Sequence, residues 1–357
     1  MMILNSLILK YQTGIQIRED IPVIRISDNE ASFQKGTHSF NLRKLRSNDW
    51  KIIHLLQEGL STVELQKTSQ SSRFIHMLSV FEERGILKSC HYEKWEDPSL
   101  DRQMDWFSYF NHHPASLQKK ISSFKLLILG CGGTGSIAAT HLARAGFSHF
   151  VLVDGAKIDT PDLNRQIPYE RSNLGQNKTD VLKNYLYRQG KISSCITVNT
   201  WLEHEFQVKN VIENNPVNLV LNCADKPIGK ILPWVAKACA ETNVPVLFGG
   251  VGLEQGTIGP LLTTKDAKLN FVQAMEKAGE KINGSNQVLN ASTVFTNSLI
   301  ATHLAFEVFR FITKISEPIT LNQTVNIDFF SNTTTLRRKW GESSAYPQPP
   351  SPLSESF

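Results

Sequence analysis

The chain has 357 residues, 41% of them hydrophobic, and its 38 Lys and Arg side chains barely outnumber the 33 Asp and Glu. This length provides ample core for one large or two modest domains, and the near balance of charge does not favour nucleic acid or an anionic membrane as a partner. The five cysteines lack CxxC spacing, which argues against a disulfide framework or a four-cysteine zinc site and favours a reducing, cytoplasmic location.

Residues 1–95 predict a small α+β domain of the winged-helix type. Short alternating segments predict an antiparallel sheet, and three helical patterns follow it. Gly59 is expected to end the first helix, and Ser61 with Glu64 to form the capping box of the second. The third carries its apolar residues on one face and is expected to stop near Gly85.

A winged helix often binds DNA, so the charge of this domain matters. Residues 1–97 contain 13 Lys or Arg and 12 Asp or Glu, whereas phosphate binding needs a clustered basic face. We therefore interpret the domain as a peptide-binding unit, in which a strand edge or a helix groove takes an extended segment. The alternative is an appendage that stabilises a dimer.

The rest of the chain predicts one larger domain. Residues 96–123 form a polar, aromatic connector, and alternating strand and helix patterns over 124–340 predict a Rossmann-like α/β fold with a doubly wound, mainly parallel sheet. Within it, the apolar stretch 294–312 is interrupted by charged residues, which indicates a buried amphipathic helix and not a membrane span. The last residues, 341–357, are rich in Pro and Ser and predict a disordered tail.

A glycine-rich turn is the most informative motif. Four glycines follow the apolar run that ends at Leu129: Gly130, Gly132, Gly133 and Gly135. A helical pattern and a second apolar run lead to Asp154. Glycines permit close approach of the backbone to phosphate, the helix N-terminus favours negative charge, and the acid can accept hydrogen bonds from ribose. The motif predicts a nucleotide site, although NAD, FAD and S-adenosylmethionine enzymes share this geometry.

Further polar residues favour a triphosphate. Asn164, Arg165 and Gln166 follow Asp154 closely, so that the amide and guanidinium groups could bind phosphate oxygens. Lys178 opens a helical pattern and could reach the same phosphates. Taken singly, such cations are more often solvated surface charges.

Asp225 supplies the remaining requirement. It ends an apolar strand, where it could hold Mg²⁺ or, more simply, cap a helix. Together with the cations it would meet the needs of adenylation, in which the triphosphate is neutralised and the ribose is anchored so that a carboxylate can attack the α-phosphorus.

The segments LGCGGTGS, VDGAKIDTPDLNRQ, LGQNKTDV and NCAD resemble those of the ThiF-like, ubiquitin-activating-enzyme superfamily, over roughly residues 124–340. The resemblance implies four catalytic residues that engage phosphates or the metal: Asn164, Arg165, Lys178 and Asp225. It implies that Asp154 binds ribose and that the turn glycines and Gln166 also contact ATP. The implied reaction joins a carboxylate to ATP, giving an acyl adenylate and pyrophosphate, and the implied assembly is a homodimer.

Departures from the superfamily pattern narrow the expected chemistry. No cysteine follows Cys239, so thioester transfer to ubiquitin-like proteins is not expected. The two zinc-binding CxxC pairs common in sulfur-carrier activators are missing, so no zinc is expected. Arg102 is the nearest candidate for an arginine that reaches the ATP of a neighbouring subunit.

The N-terminal module and the segments VLFGGV, GPLL and ITKISEPITLN extend the similarity to almost the whole chain, which resembles enzymes that adenylate ribosomally made precursor peptides, of the microcin C and pantocin types. This implies leader-peptide recognition by the N-terminal domain and ATP-dependent activation of a peptide carboxylate, at the C-terminus or on a Glu side chain. Intramolecular attack would then close a ring, as a step of antibiotic biosynthesis. The alternatives are a sulfur-carrier-protein adenylyltransferase, a nucleotide-sensing winged-helix regulator and an NAD-dependent oxidoreductase.

Overall fold

The protein consists of two compact units. The computed structural model describes residues 2–68, 71–280 and 291–340, and the chain divides into residues 1–119 and 120–357. This division places most of the predicted connector in the first unit, where part of it is helical.

The first unit combines helices with two small antiparallel sheets. Its helices are α1 (Met2–Tyr11), α2 (Ser47–Glu58), α3 (Thr62–Thr68), α4 (Ser72–Glu83) and α5 (Asp101–Ser108), and α6 (Pro114–Ser123) begins in it. Its strands are β1 (Gly14–Ile17), β2 (Val23–Ser27), β3 (Glu30–Lys35), β4 (His38–Arg43), β5 (Leu60–Ser61) and β6 (Leu87–Ser89). The strand orders are β5-β1-β6 and β2-β3-β4. Helix α1 and strand β4 were not predicted from the sequence.

The predicted helix ends of this unit are confirmed. Gly59, with φ of 96°, follows α2, and its backbone N–H donates to a carbonyl of the last turn. Ser61 and Glu64 form the capping box, since the Glu64 carboxylate accepts the Ser61 backbone N–H at 2.8 Å and Ser61 Oγ accepts that of Glu64 at 3.3 Å. Gly85, with φ of 61°, follows the end of α4. Local chemistry alone sets these boundaries.

Strand β2 lies at the edge of the sheet β2-β3-β4. Phe33 on β3 is fully buried and packs on Phe81 of α4, with ring centroids 5.0 Å apart, so the inner face of the sheet belongs to the core. In contrast, Ile24 and Ile26 of β2 are 42% and 53% exposed. An edge strand with exposed apolar side chains is a suitable surface for an added strand.

The second unit alternates strands and helices. Its strands are β7 (Lys125–Leu129), β8 (His149–Val153), β9 (Ser194–Val198), β10 (Leu219–Asn222), β11 (Val246–Val251), β12 (Gln255–Leu262), β13 (Gln323–Asp328) and β14 (Thr334–Lys339). Its helices are α7 (Gly133–Arg144), α8 (Lys178–Gln189), α9 (Glu205–Asn214), α10 (Ile231–Glu241), α11 (Lys265–Glu280) and α12 (Val294–Thr313). The predicted tail, residues 341–357, lies outside the described residues.

These strands form one sheet in the order β14-β13-β12-β11-β10-β7-β8-β9. The strands from β11 to β9 are parallel, and β12, β13 and β14 extend the sheet in antiparallel fashion. The predicted Rossmann-like, mainly parallel α/β fold is therefore confirmed. The chain continues from β7 to β8 on one side of β7, and it later returns to pair with the other side of β7 as β10. The carboxyl ends of β7 and β10 therefore flank a topological switch point, where doubly wound sheets bind ligands. Strand β14 is an edge strand, and all six of its residues are exposed.

Helix α12 is the buried amphipathic helix predicted from its apolar periodicity. Glu307, near its C-terminal end, is buried and accepts hydrogen bonds from Arg310 Nη1 and from the backbone N–H of Thr320, both at 2.8 Å. The bond from Thr320 attaches the helix to the segment before β13. Among the described residues, no helix is long and apolar enough to cross a membrane.

A buried lysine in α11 gives a test of this packing. Lys268 is fully buried, and its Nζ donates to the Cys239 carbonyl of α10 at 3.1 Å. Burial lowers the pKa of Lys268 below its ordinary value of 10.5. At a pH below 10.5, the lysine of the unfolded chain binds a proton more readily than the buried lysine of the folded protein does. Lys268 therefore destabilises the fold at a pH below 10.5, and this cost disappears as the pH rises toward 10.5.

We expect Lys268→Met, which keeps the apolar stem and removes the amine, to raise stability by about 1–3 kcal/mol near neutral pH. The gain should shrink as the pH rises toward 10.5. Thermal unfolding of both proteins across this pH range measures it, with Lys265→Met on the exposed face of the same helix as the control. A gain that does not change with pH would contradict the role given to the amine.

Candidate functional site

A cavity of about 420 Å³ opens at the carboxyl ends of the parallel strands. Its walls come from the segments that follow β7, β8, β9 and β10, from the end of β11 and from the residues around the start of α12. The volume is within the range of small-molecule sites, and the position is that of ligands in doubly wound sheets. The fold therefore places the candidate site here.

Two of the glycines allow the turn after β7 to pack closely. Gly130 has φ of 91°, and a Cβ at this position would lie 2.7 Å from the backbone nitrogen of Ala224, just beyond β10. A Cβ at Gly135 would lie 1.9 Å from the carbonyl oxygen of Gly130. The absence of these side chains lets α7 begin immediately beside the switch point.

The other two glycines differ in what they face. A Cβ at Gly133 would lie 2.3 Å from Oδ1 of Asn297, a buried side chain of α12 that also lines the cavity. At Gly132 the nearest atom would be Gln166 Nε2, 4.0 Å away. Within the turn, Gly132 is thus the glycine whose missing side chain leaves open space on the cavity wall, where phosphate could approach the backbone.

Asp154 joins the turn to the end of β8. Its Oδ2 accepts the backbone N–H of Cys131, and its Oδ1 accepts that of Ala156, each at 2.7 Å. The side chain lines the cavity. Since each carboxylate oxygen accepts more than one hydrogen bond, Asp154 retains capacity for ribose hydroxyls while it holds the turn.

Lys178 and Arg165 converge on the cavity around a carboxylate that the sequence analysis did not single out. Lys178 is the first residue of α8 and only 8% exposed, and its Nζ lies 3.0 Å from Oδ2 of Asp162. Arg165 Nη2 lies 3.5 Å from Asp162 Oδ1, to which Gln166 Nε2 donates at 2.5 Å. Gln166 Oε1 is buried and has no hydrogen-bond partner among the described residues. All four side chains line the cavity.

Asn164 and Gly135 lie beside the cavity and do not line it. Asn164 is exposed, its Nδ2 donates to the Ser292 carbonyl at 3.3 Å, and its Oδ1 accepts from Arg165 Nη1 at 3.0 Å. Its contact with the candidate site therefore passes through Arg165 and Ser292, which both line the cavity. Arg102 is exposed on α5 of the first unit.

Asp225 is the predicted metal ligand. It lines the cavity, is exposed, and makes no hydrogen bond or ion pair with the residues that the structure describes. Within those residues, no group of three or more His, Cys, Asp and Glu could hold a metal ion by itself. Mg²⁺ commonly binds one or two carboxylates together with nucleotide phosphates, so a single free carboxylate at this place fits that ion.

Two aromatic residues complete the site and carried no signal in the sequence. Tyr169 is buried, and its Oη lies 2.7 Å from the Cys131 carbonyl, to which it donates, and 3.3 Å from that of Lys178. Burial raises the pKa of Tyr169 well above its ordinary value, so the phenol remains a donor. Trp201 is half-exposed on the cavity wall, and a Cβ at Gly155 would lie 2.5 Å from it. Its indole thus lies next to the residue after Asp154.

The sequence matches a known protein family and is similar to curated proteins. A ThiF family profile matches residues 100–346. A curated relative, adenylyltransferase and sulfurtransferase uba4 of Aspergillus niger, is 35% identical over 115 residues, which are 32% of this chain and 23% of that protein. The chain thus aligns with about a quarter of the length of this relative.

Solved structures match over most of the chain. MccB of E. coli, with AMPCPP and MccA, superposes with a TM-score of 0.72 at 21% identity and covers 92% of this chain and 98% of its own. MccB has also been solved with ATP, with the same TM-score. PaaA superposes with a TM-score of 0.66 at 16% identity, covering 91% of this chain and 100% of its own. These likenesses show a shared fold.

The glycine turn leads to a paired prediction. We expect Gly135→Ala to lower the melting temperature by about 5–10 °C, because its methyl group collides with a backbone carbonyl that cannot move aside. Gly132→Ala, which meets no protein atom closer than 4.0 Å, should leave the melting temperature unchanged. Differential scanning calorimetry measures both variants. Equal losses would show that the turn is not packed as described.

Proposed function

Because the chain belongs to the ThiF family, we propose that its second unit is an ATP-dependent adenylating domain. The observation that carries this proposal is the meeting of four features in one cavity: the open backbone at Gly132, the carboxylate of Asp154, the cations Lys178 and Arg165, and Asp225, which has no partner within the described part of the chain. Each suits a different part of Mg·ATP. The other nucleotide enzymes considered for the glycine turn do not need the last two features.

The geometry supports a definite placement of the nucleotide. Asp154 would hold the ribose, and the half-exposed Trp201 beside it offers an aromatic face to the base. Lys178 and Arg165 would bind phosphate oxygens, and Mg²⁺ at Asp225 would offset the charge that develops on the leaving pyrophosphate. The chain's own residues thereby fix the α-phosphorus so that a carboxylate can approach it in line.

A peptide is the proposed source of that carboxylate. Support comes from the fold shared with MccB, whose structure contains MccA, and from the winged-helix-like first unit with its exposed edge strand β2. We take the substrate to be a short, ribosomally made precursor bound by this unit, as in antibiotic biosynthesis. Homodimer assembly belongs to the same proposal.

The nucleophile that follows adenylation is proposed to come from the substrate. Cys223 is the only cysteine among the described residues that lines the cavity, and burial raises its pKa to about 12, so it remains a thiol. A thiol with that pKa is a poor nucleophile near neutral pH. Attack by a peptide nitrogen or carbon on the acyl adenylate would form the new bond and release AMP, without a relay through the enzyme.

A sulfur-carrier protein is the second candidate substrate. The similarity to uba4, an adenylyltransferase and sulfurtransferase, favours it over the matched 115 residues. The two candidates differ in the size of the partner that supplies the carboxylate.

The activity is tested with ATP, Mg²⁺ and candidate short peptides encoded by neighbouring genes, by pyrophosphate release and by peptide mass. We expect Lys178→Gln and Asp225→Asn each to lower the rate about 100-fold, the effect of removing one charged group that stabilises a transition state. Lys183→Gln, on the same helix but outside the cavity, should retain the rate. Pyrophosphate release with a sulfur-carrier protein and not with the peptide would favour the second candidate.

Peptide recognition is tested separately. The double variant Ile24→Glu, Ile26→Glu should weaken binding of the labelled peptide about tenfold or more, since two partly exposed apolar side chains would no longer be covered. Leu336→Glu, an exposed apolar residue of β14, is the matched control. Fluorescence anisotropy gives the affinities, and ATP affinity should not change in either variant. Unchanged peptide binding would mean that β2 is not the recognition edge.

A further inference from the structure

Asp162 is a buried carboxylate that points into the nucleotide cavity. It is 8% exposed and lines the cavity with the two proposed phosphate-binding cations. Its Oδ2 lies 3.0 Å from Lys178 Nζ and accepts the backbone N–H of Asp159 at 3.1 Å, and its Oδ1 lies 3.5 Å from Arg165 Nη2 and accepts from Gln166 Nε2 at 2.5 Å. The backbone and amide contacts fix this carboxylate in place independently of the cations.

These contacts change the electrostatics of the whole cavity. Within the described part of the chain, the cavity is lined by three carboxylates and three cations: Asp154, Asp162, Asp225, Arg165, Lys178 and Lys226. The formal charges cancel. A triphosphate carrying several negative charges is therefore not drawn in by an excess of positive charge, and it must compete with Asp162 for the same lysine and arginine.

We propose that Asp162 makes binding of the triphosphate depend on a divalent cation. A phosphate oxygen bound to Lys178 would come within about 6 Å of the Asp162 carboxylate, because each would lie about 3 Å from the same Nζ. In a partly buried site, repulsion between two unit charges at that distance lowers affinity by more than about tenfold. A triphosphate with a bound cation suffers less repulsion, so Asp162 discriminates against the metal-free form. This inference rests on the proposed nucleotide site.

A purely structural role for Asp162 makes a different prediction. If the carboxylate only holds Lys178 and Arg165 in position, its removal weakens binding of metal-free and metal-bound ATP alike. If it also repels phosphate, its removal favours the metal-free form. The ratio of the two affinities separates these cases, whereas melting temperature or catalytic rate alone does not.

The test is calorimetric titration of the full-length protein with ATP, once with Mg²⁺ and once with a chelator. We expect wild type to bind more tightly with Mg²⁺, and Asp162→Asn, which keeps the shape and removes the charge, to reduce that advantage about tenfold by strengthening metal-free binding. Asp162→Glu, which keeps the charge, and Asp266→Asn, on α11 and outside the cavity, should retain the advantage. An unchanged ratio in Asp162→Asn would overturn the inference.

A second measurement needs no variant and applies if Asp162→Asn does not fold. In wild type, the advantage given by Mg²⁺ should increase from AMP to ADP to ATP as the phosphate chain reaches Lys178. Equal binding of metal-free and Mg²⁺-bound ATP would overturn the inference while leaving the adenylation proposal intact. If the affinity ratios are as expected but no carboxylate substrate causes pyrophosphate release, the proposed function alone would be overturned. If ATP does not bind in either buffer, both the proposed function and this inference would be overturned.

Discussion

The close contact between the glycine turn and the end of β10 is the constraint on which the candidate site depends. Gly130 adopts a conformation with φ of 91°, and its missing Cβ leaves just enough space for the backbone at Ala224. Strands β7 and β10 can therefore end side by side at the switch point of the sheet. This contact brings Asp225, at the end of β10, to the same cavity as Asp154, at the end of β8.

Hydrogen bonds to the backbone of the glycine turn hold this arrangement in place without a ligand. Asp154 holds the turn from one side through the Cys131 N–H, and Tyr169 holds it from the other through the Cys131 carbonyl. Tyr169 also approaches the backbone of Lys178, so the turn and the start of α8 share one buried anchor. Groups fixed in this way would lose little further freedom on binding the proposed nucleotide, which would favour both affinity and orientation.

The sequence was informative where function depends on local pattern. The strand–turn–helix unit at Gly130, the acid that ends β8 and the helix caps of the first unit follow from short-range chemistry, and the structure confirms these elements. Asp162 and Trp201 could not be identified in the same way. Asp162 ends a one-turn 3-10 helix, and its importance comes from side chains three and sixteen residues away. Trp201 follows a strand, β9, that was not predicted. Residues whose roles depend on tertiary contacts produce no periodic pattern in the sequence.

Strand β14 ends the sheet on the side away from the candidate site, and its charge affects how copies of the protein meet at high concentration. An unpaired strand edge is a template on which another chain can extend the sheet. Here three consecutive basic residues, Arg337, Arg338 and Lys339, lie on that strand and are exposed. Two identical edges of this kind would repel each other, so among the residues that the structure describes this charge opposes pairing of the edge with a second copy.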